Sequence, residues 1–236
     1  MAKIGLEYVK VGKLATETSG AAATYTDPQY LGTSAGFTGN VTANDVKDYG
    51  DDRTVETDNS VTGGTLSWEK NDLTEENLAY LLGHEATVSY ALTTDTDVVA
   101  GKTYYTRTGS GTTESPYVYT PVASPVKSSL ETYYEVTAYE ILANADDVAP
   151  FIGVGVIGKA KRNGAYKYIA KFYYKTQWHE PNDENSTATD TTNFAHDTIE
   201  GAIFMLQNGD WKAQETFDTL AAAKAYIDTK FGISTP

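Results

Sequence analysis

The chain of 236 residues contains no cysteine, two methionines and three histidines. The absence of cysteine excludes disulfide frameworks, thiolate metal sites and cysteine nucleophiles, and it is compatible with assembly in a reducing cytoplasm. No apolar run approaches the length of a membrane span, and residues 1–5 show no apolar region of the signal-peptide type. We therefore expect neither a membrane span nor export by a signal peptide.

Basic residues are scarce, with 18 lysines and arginines against 32 aspartates and glutamates, which gives a formal charge of −14. Such a chain is poorly suited to gripping nucleic acid, because neutralising phosphates requires basic patches. The simplest interpretation is that the charge keeps the protein soluble. The alternative is that the acidic protein forms a wall along which DNA slides without binding.

Two common catalytic motifs are also missing: the chain has no P-loop and no H-E-x-x-H pattern. His84, His179 and His196 lack the spacing of metal ligands. Asp95-Thr96-Asp97 resembles the start of a calcium loop, but the glycine and distal glutamate of that loop are not at the required positions. We expect no catalytic, metal or cofactor site and a non-enzymatic role. The alternative that the sequence leaves is a pair of carboxylates of the glycosidase type.

Patterns typical of strands occupy most of the chain. The 18 tyrosines, with frequent threonine and valine, suit β-structure. Alternation predicts strands near 4–9, 36–41, 61–69, 151–157, 165–175 and 199–205, and Asn163-Gly164 predicts a hairpin turn. Helices are predicted at 75–82, between Thr74 and Gly83, and at 220–231, after Asp218 or Thr219. These patterns predict a mainly β (α+β) fold.

An acidic stretch, residues 40–59, lies between two predicted strands. It holds too little apolar surface to order itself, and loops of this length in compact domains are usually functional or disordered. We predict a long inter-subunit loop that is ordered only by a neighbouring subunit. The candidate assembly residues are Asp45, Lys47, Asp48, Tyr49, Asp51, Asp52, Arg53, Glu56 and Asp58.

The sequence pattern in the middle of the chain indicates an insertion. Thr103-Tyr104-Tyr105 is echoed by Thr132-Tyr133-Tyr134, and three prolines lie between the two units. The pattern predicts a small all-β module at 90–139, inserted into a core domain made of 1–89 and 140–236. One extended hairpin is an equal alternative. The aromatic residues of the module could stack on sugar or form an immunoglobulin-like core.

The predicted strand at 165–175 has two contrasting faces. Its aromatic face, which we expect in the core, consists of Tyr166, Tyr168, Ala170, Phe172 and Tyr174. On the other face, Lys167, Lys171 and Lys175 form a possible docking ridge for the acidic loop of a neighbouring subunit. A solvated sheet face protected against edge pairing is the alternative.

Several short motifs, in this order along the chain, resemble the phi13-type major tail protein family, the tail tube subunits of long-tailed bacteriophages. The resemblance covers residues about 1–89 and 140–236, and the segment between them does not match. The motifs are Ile4-Gly5-Leu6-Glu7-Tyr8-Val9-Lys10, Pro28-Gln29-Tyr30-Leu31-Gly32, Tyr49-Gly50-Asp51-Asp52-Arg53, Leu81-Leu82-Gly83, Ala149-Pro150-Phe151-Ile152-Gly153-Val154-Gly155 and Tyr173-Tyr174-Lys175.

The resemblance implies a tail-tube β-sandwich or barrel with one or two flanking helices. It further implies six subunits closing a ring, and rings stacked through the acidic loop into a hollow tube through which genomic DNA is ejected. The implied partners are the chain itself, the tail initiator or baseplate, the tape measure and terminator proteins, and passing double-stranded DNA that is not specifically bound, with no membrane.

The implied location is the virion tail, with the host cytoplasm during assembly. The module at 90–139 would then decorate the outer surface. A capsid decoration or connector protein is one alternative. A carbohydrate-binding, adhesin-like β protein is another, which the lack of a signal peptide disfavours.

Overall fold

The structure, a computed structural model, describes residues 2–19, 21–44, 46–50, 53–58, 60–181 and 196–233, and only the backbone of residues 2, 3, 46–50 and 53–58. The chain divides into two compact units. The main unit consists of Met1–Gly83 and Ala145–Pro236, and the second unit of His84–Asn144. The sequence patterns had placed the insertion at 90–139, within the second unit.

Antiparallel strands dominate the described residues of both units. The first part of the main unit contains β1 (Ala2–Thr16), β2 (Thr24–Gln29), β3 (Ser34–Ala43), β4 (Val46–Gly50), β5 (Arg53–Asp58), β6 (Val61–Lys70) and helix α1 (Glu75–Leu82). The second unit contains β7 (Glu85–Leu92), β8 (Tyr105–Thr108), β9 (Val118–Pro121), a 3-10 helix (Lys127–Thr132) and β10 (Tyr134–Leu142). The main unit then resumes with β11 (Ile152–Arg162), β12 (Ala165–Trp178), β13 (Asp197–Phe204), β14 (Lys212–Phe217) and helix α2 (Leu220–Lys230). The predicted mainly β fold with two flanking helices is confirmed.

The main sheet has the strand order β2-β1-β11-β12-β13-β6-β3, and β14 also pairs with β12. Strand β12 accommodates two neighbours on one side because it pairs with β14 along 168–173 and with β13 along 175–178. Strands β1 and β3, which are far apart in this order, come back into contact. The sheet therefore curls around a buried core whose largest fully buried members are Trp68, Trp178, Leu66, Leu81, Ile152 and Ile199.

A second apolar layer lies under α2. Ala170 and Phe172 of β12 pack there against Ala223, Ile227 and Phe231. The expectation that only one face of β12 is buried is wrong, because Tyr173, on the opposite face, is 5% exposed and belongs to the curled core. β12 is a central strand covered on both sides, while Tyr166, predicted to be in the core, is 53% exposed near its start.

The two helices begin and end at the predicted signals. The Thr74 hydroxyl accepts a hydrogen bond from the Asn77 amide, and Gly83 ends α1 with a φ of 79°, a conformation that glycine adopts without strain. The Thr219 hydroxyl caps α2 by accepting from the Ala222 amide. No helix in the described part of the chain is long and apolar enough to cross a bilayer.

The second unit is a four-stranded sheet in the order β7-β10-β8-β9 with a much smaller core. Its buried cluster consists of Tyr104, Leu130 and Tyr133, with Val122 packed against it. Because side chains alternate along a strand, each Thr-Tyr-Tyr unit supplies one tyrosine to this core and the next, Tyr105 or Tyr134, to the other face.

The predicted long loop at 40–59 is corrected by the structure. Strand β3 continues to Ala43, and β4 and β5 pair antiparallel as a two-stranded sheet of their own. A strand ladder is built from backbone hydrogen bonds, so pairing can continue past the core without apolar side chains to bury. The low apolar content of this segment therefore did not exclude strands.

Candidate assembly surfaces

The hairpin of β4 and β5, here called the arm, follows the β3–β6 pair, which has a register shift between Thr42 and Ala43. Ala43 lies opposite Val61, the Asn44 amide donates a 2.7 Å hydrogen bond to the Ser60 carbonyl, and Val46 lies opposite Asp58. No third strand among the described residues pairs with the arm. The main unit thus carries a two-stranded ribbon that leaves its sheet.

Most of the predicted assembly residues lie on this arm. Lys47, Asp48 and Tyr49 belong to β4, and Arg53, Glu56 and Asp58 belong to β5. The backbone register places Asp48 opposite Glu56. Asp45, Asp51 and Asp52 lie outside the described residues.

The edges of the main sheet differ in their protection against pairing. Edge strand β2 contains Pro28, preceded by Asp27 at a φ of 50°, and such features prevent continued pairing. Edge strand β3 contains no proline and no charged residue, and its second half is exposed from Thr38 onward. Beyond β6, no described strand pairs with β3; its first half lies across a cleft from β1, and its exposed second half is open to another chain.

The predicted docking ridge is largely neutralised within the chain. Lys167 is ion-paired with Asp218, and Lys175 with Glu17 at 2.6 Å. Glu17 also accepts a hydrogen bond from the Gln207 amide, so Lys175 links separate segments of the main unit. Lys171 lines the cleft described next. The three lysines do not form one free ridge.

A cleft of about 420 Å³ lies between the start of β1 and the start of β3. Leu6, Phe37, Val156 and Tyr173 supply apolar surface, and Lys159, paired with Glu7 at 3.4 Å, lies at its border. The described lining contains no histidine, aspartate or glutamate. The cleft therefore favours apolar contact over acid–base chemistry.

Two exposed phenylalanines form a patch that the sequence patterns did not indicate. Phe151 and Phe204 are 36% and 38% exposed, with their ring centroids 5.4 Å apart. The patch lies near the root of the arm, since Ile203 pairs with Gly64 of β6 and Gly64 with Val41 of β3. Phe151 had been predicted to begin a buried strand, but β11 begins at Ile152. No sequence signal distinguished exposed Phe151 and Phe204 from phenylalanines that are buried in the core.

The described side chains give no indication of a metal centre: no group of three or more histidine, aspartate or glutamate residues could hold an ion. The most perturbed basic group is Lys70, which is fully buried and donates a hydrogen bond to the Leu31 carbonyl. Burial lowers its pKa to about 8, against the opposing effect of Asp72. The hydrogen bond to the Leu31 carbonyl gives this buried ammonium group a partner inside the core.

The chain matched none of the models of known protein families, and a search of curated proteins found no match either.

Proposed function

We propose that this protein is a self-assembling tube subunit of the phage-tail kind. Six subunits close a ring, and rings stack into a hollow tube through which DNA passes into the host. The observation that carries the proposal is the arm, which continues the β3–β6 pairing beyond the sheet and has no third strand in the described chain. The role is structural and involves no catalysis.

The arm is better suited to an assembly than to an isolated subunit. A two-stranded hairpin alone is at best marginally stable in water. Contact with a neighbouring ring offsets this cost, because it supplies partners for the strands.

Two other surfaces supply the remaining contacts. The unprotected edge of β3 can pair with a strand of the next subunit within a ring, which removes the exposed edge. The Phe151–Phe204 patch near the root of the arm provides apolar area for stacking. A closed ring with an open-ended stacking contact produces a filament. The charge of −14 disfavours adhesion of DNA to the inner wall.

The test is deletion of residues 47–58 followed by negative-stain electron microscopy of the concentrated protein. We expect wild-type protein to form six-fold rings or long hollow tubes, and the deletion variant to be a folded monomer that forms neither. Tubes from the deletion variant that match the wild type contradict the role of the arm. Wild-type protein that stays monomeric at every concentration favours the adhesin-like alternative.

A matched control replaces residues 84–144 with two glycines. Glu85 lies opposite Leu142 in the second unit, so the two ends of this unit are adjacent, and a short linker suffices. If the second unit decorates the outer surface, this larger deletion leaves tube formation intact and removes density from the outside of the tube. Loss of tubes in both variants would show only a general sensitivity to deletion and would count against the proposal.

A further inference from the structure

One face of the sheet in the second unit is covered by tyrosine rings. The strand register places Tyr90, Tyr105, Tyr119 and Tyr134 on the face opposite to the Tyr104–Tyr133 core. The Tyr90 and Tyr119 rings stack with centroids 3.8 Å apart, and Tyr119 meets Tyr134 edge to face at 5.3 Å. Exposed Leu92 and Val136 continue the same face. This surface is more apolar than a solvated sheet face requires.

Arg107 lies over this face without a carboxylate partner in the described chain. Its guanidinium is 4.3 Å from the centroid of exposed Tyr117 and 4.6 Å from that of Tyr134. The other two basic residues of the unit are both ion-paired, Lys102 with Asp95 and Glu135, and Lys127 with Asp97. Arg107 remains unpaired although the unit contains seven acidic residues, namely Glu85, Asp95, Asp97, Glu114, Glu131, Glu135 and Glu140.

Stacking on two rings prepares Arg107 for a particular kind of ligand. A guanidinium whose flat face rests on aromatic rings keeps its N–H edge available and is partly fixed in orientation. That edge matches a carboxylate, which it can bind with two parallel hydrogen bonds. Tyrosine rings beside it offer apolar surface with a hydroxyl at the border. A sugar ring matches this combination, because one of its faces presents C–H groups and its rim presents hydroxyls.

We propose that this tyrosine–arginine face binds a saccharide that bears a carboxylate. Arg107 pairs with the carboxylate, and the exposed Tyr117 ring packs against the C–H face of the sugar. Among the described residues, Arg107 is the one basic residue of the unit outside an ion pair, which suits a single carboxylate and not the phosphate chain of a nucleic acid. The face is shallow, so binding is weak for a single site and gains strength when many copies are displayed together. This inference does not depend on tube formation.

The experiment titrates the full-length protein with tetrasaccharides of alternating glucuronic acid and N-acetylglucosamine, followed by amide chemical shifts in NMR. The neutral comparison ligand is the N-acetylglucosamine tetramer. We expect saturable shifts around residues 105–107 and 117–119, with the acidic ligand binding about tenfold more tightly than the neutral one. The affinity should fall as salt is raised, because the ion pair is exposed.

Three variants define the role of Arg107. Arg107→Ala should weaken binding of the acidic ligand about tenfold, and Arg107→Lys, which keeps the charge but loses the planar fork, by a smaller factor of roughly three to five. Lys127→Ala removes a positive charge from the 3-10 helix of the same unit and should leave affinity unchanged. Amide shifts of Leu130 and Tyr133 report whether each variant keeps the folded core.

Equal affinity for the neutral tetramer, or unchanged affinity in Arg107→Ala, overturns the proposal. So does equal binding of tetraglutamate, because the site would then recognise acidic peptides and not sugars.

Discussion

The two units of this chain achieve cohesion in different ways. The main unit buries a curled core and a second layer under α2, each built from many apolar side chains. The second unit buries three large residues and adds a polar network in which Lys102 contacts Asp95 and Glu135, and the Tyr104 hydroxyl donates to Asp95. Burial depends little on pH, whereas ion pairs and charge-assisted hydrogen bonds do. The two units should therefore respond to different perturbations.

The largest expected effect comes from Phe172→Ala. The Phe172 ring is fully buried and meets Phe231 edge to face with ring centroids 4.9 Å apart. Its truncation should lower the free energy of unfolding of the main unit by about 3–5 kcal/mol. Tyr166→Ala, an exposed position on the same strand, should change it by less than about 0.5 kcal/mol. Urea unfolding and hydrogen exchange by mass spectrometry measure both variants.

Hydrogen exchange also shows whether the two units are independent. In Phe172→Ala, amides of the main unit should exchange faster while those of residues 84–144 keep their protection. Equal loss of protection in both units would mean that they unfold together and are not independent.

A smaller effect is expected from a methyl group added to β11. A Cβ at Gly155 would lie well inside van der Waals contact with the Ile227 side chain of α2. Gly155→Ala should therefore cost about 1–3 kcal/mol through overpacking. At Gly158 on the same strand, the nearest atom to an added Cβ is the Gly5 carbonyl oxygen at 3.6 Å, so Gly158→Ala should be near neutral. Thermal unfolding of the pair measures the difference, and equal midpoints would show that α2 shifts freely on the sheet.

Local signals explain which elements could be predicted from sequence. Thr74 and Gly83 bound α1, and Thr219 begins α2, because capping is decided by residues within one turn of the helix end. The Asn163-Gly164 turn was predicted for the same reason: both residues adopt positive φ, which the two-residue hairpin requires.

Features decided by distant packing could not be predicted in this way. Tyr173 and Phe172 are adjacent and both buried, because the sheet curls over one face of β12 while α2 covers the other. Alternation assigns only one face of a strand to the core. The arm was predicted wrongly for a related reason. Its strands continue the pairing of β3 and β6, and they carry no apolar pattern that would predict them.

Lys70 gives a pH test of the main unit, with a smaller effect. Its pKa is lowered to about 8 by burial, whereas an unfolded lysine titrates near 10.4. The unfolded state therefore holds more protons between these values, and stability rises with pH across that window. We expect a gain of about 1 kcal/mol between about pH 7 and about pH 9.5, after allowance for screening. Tyr25 and Tyr80 stay protonated there, since burial raises the pKa of both.

The variant that isolates this group is Lys70→Met, which keeps an unbranched side chain, shorter by one atom, without the charge. Chemical unfolding at the two pH values should show the gain in wild-type protein and its absence in the variant. An equal gain in both proteins would assign the pH dependence to other residues.

The smallest effect is expected from the polar network of the second unit, whose charged members are partly exposed and screened by salt. Hydrogen bonds from Lys102 and Tyr104 hold the pKa of Asp95 below its ordinary value of 3.8. Stability from this group is therefore present above about pH 4 and is lost as pH falls through the lowered pKa. Amide spectra should show residues 84–144 losing their folded signals in acid before the main unit does. Lys102→Met should lower the stability of the second unit at neutral pH and make that stability less dependent on acid pH. If the main unit instead unfolds first in acid, the second unit is not the more charge-dependent of the two.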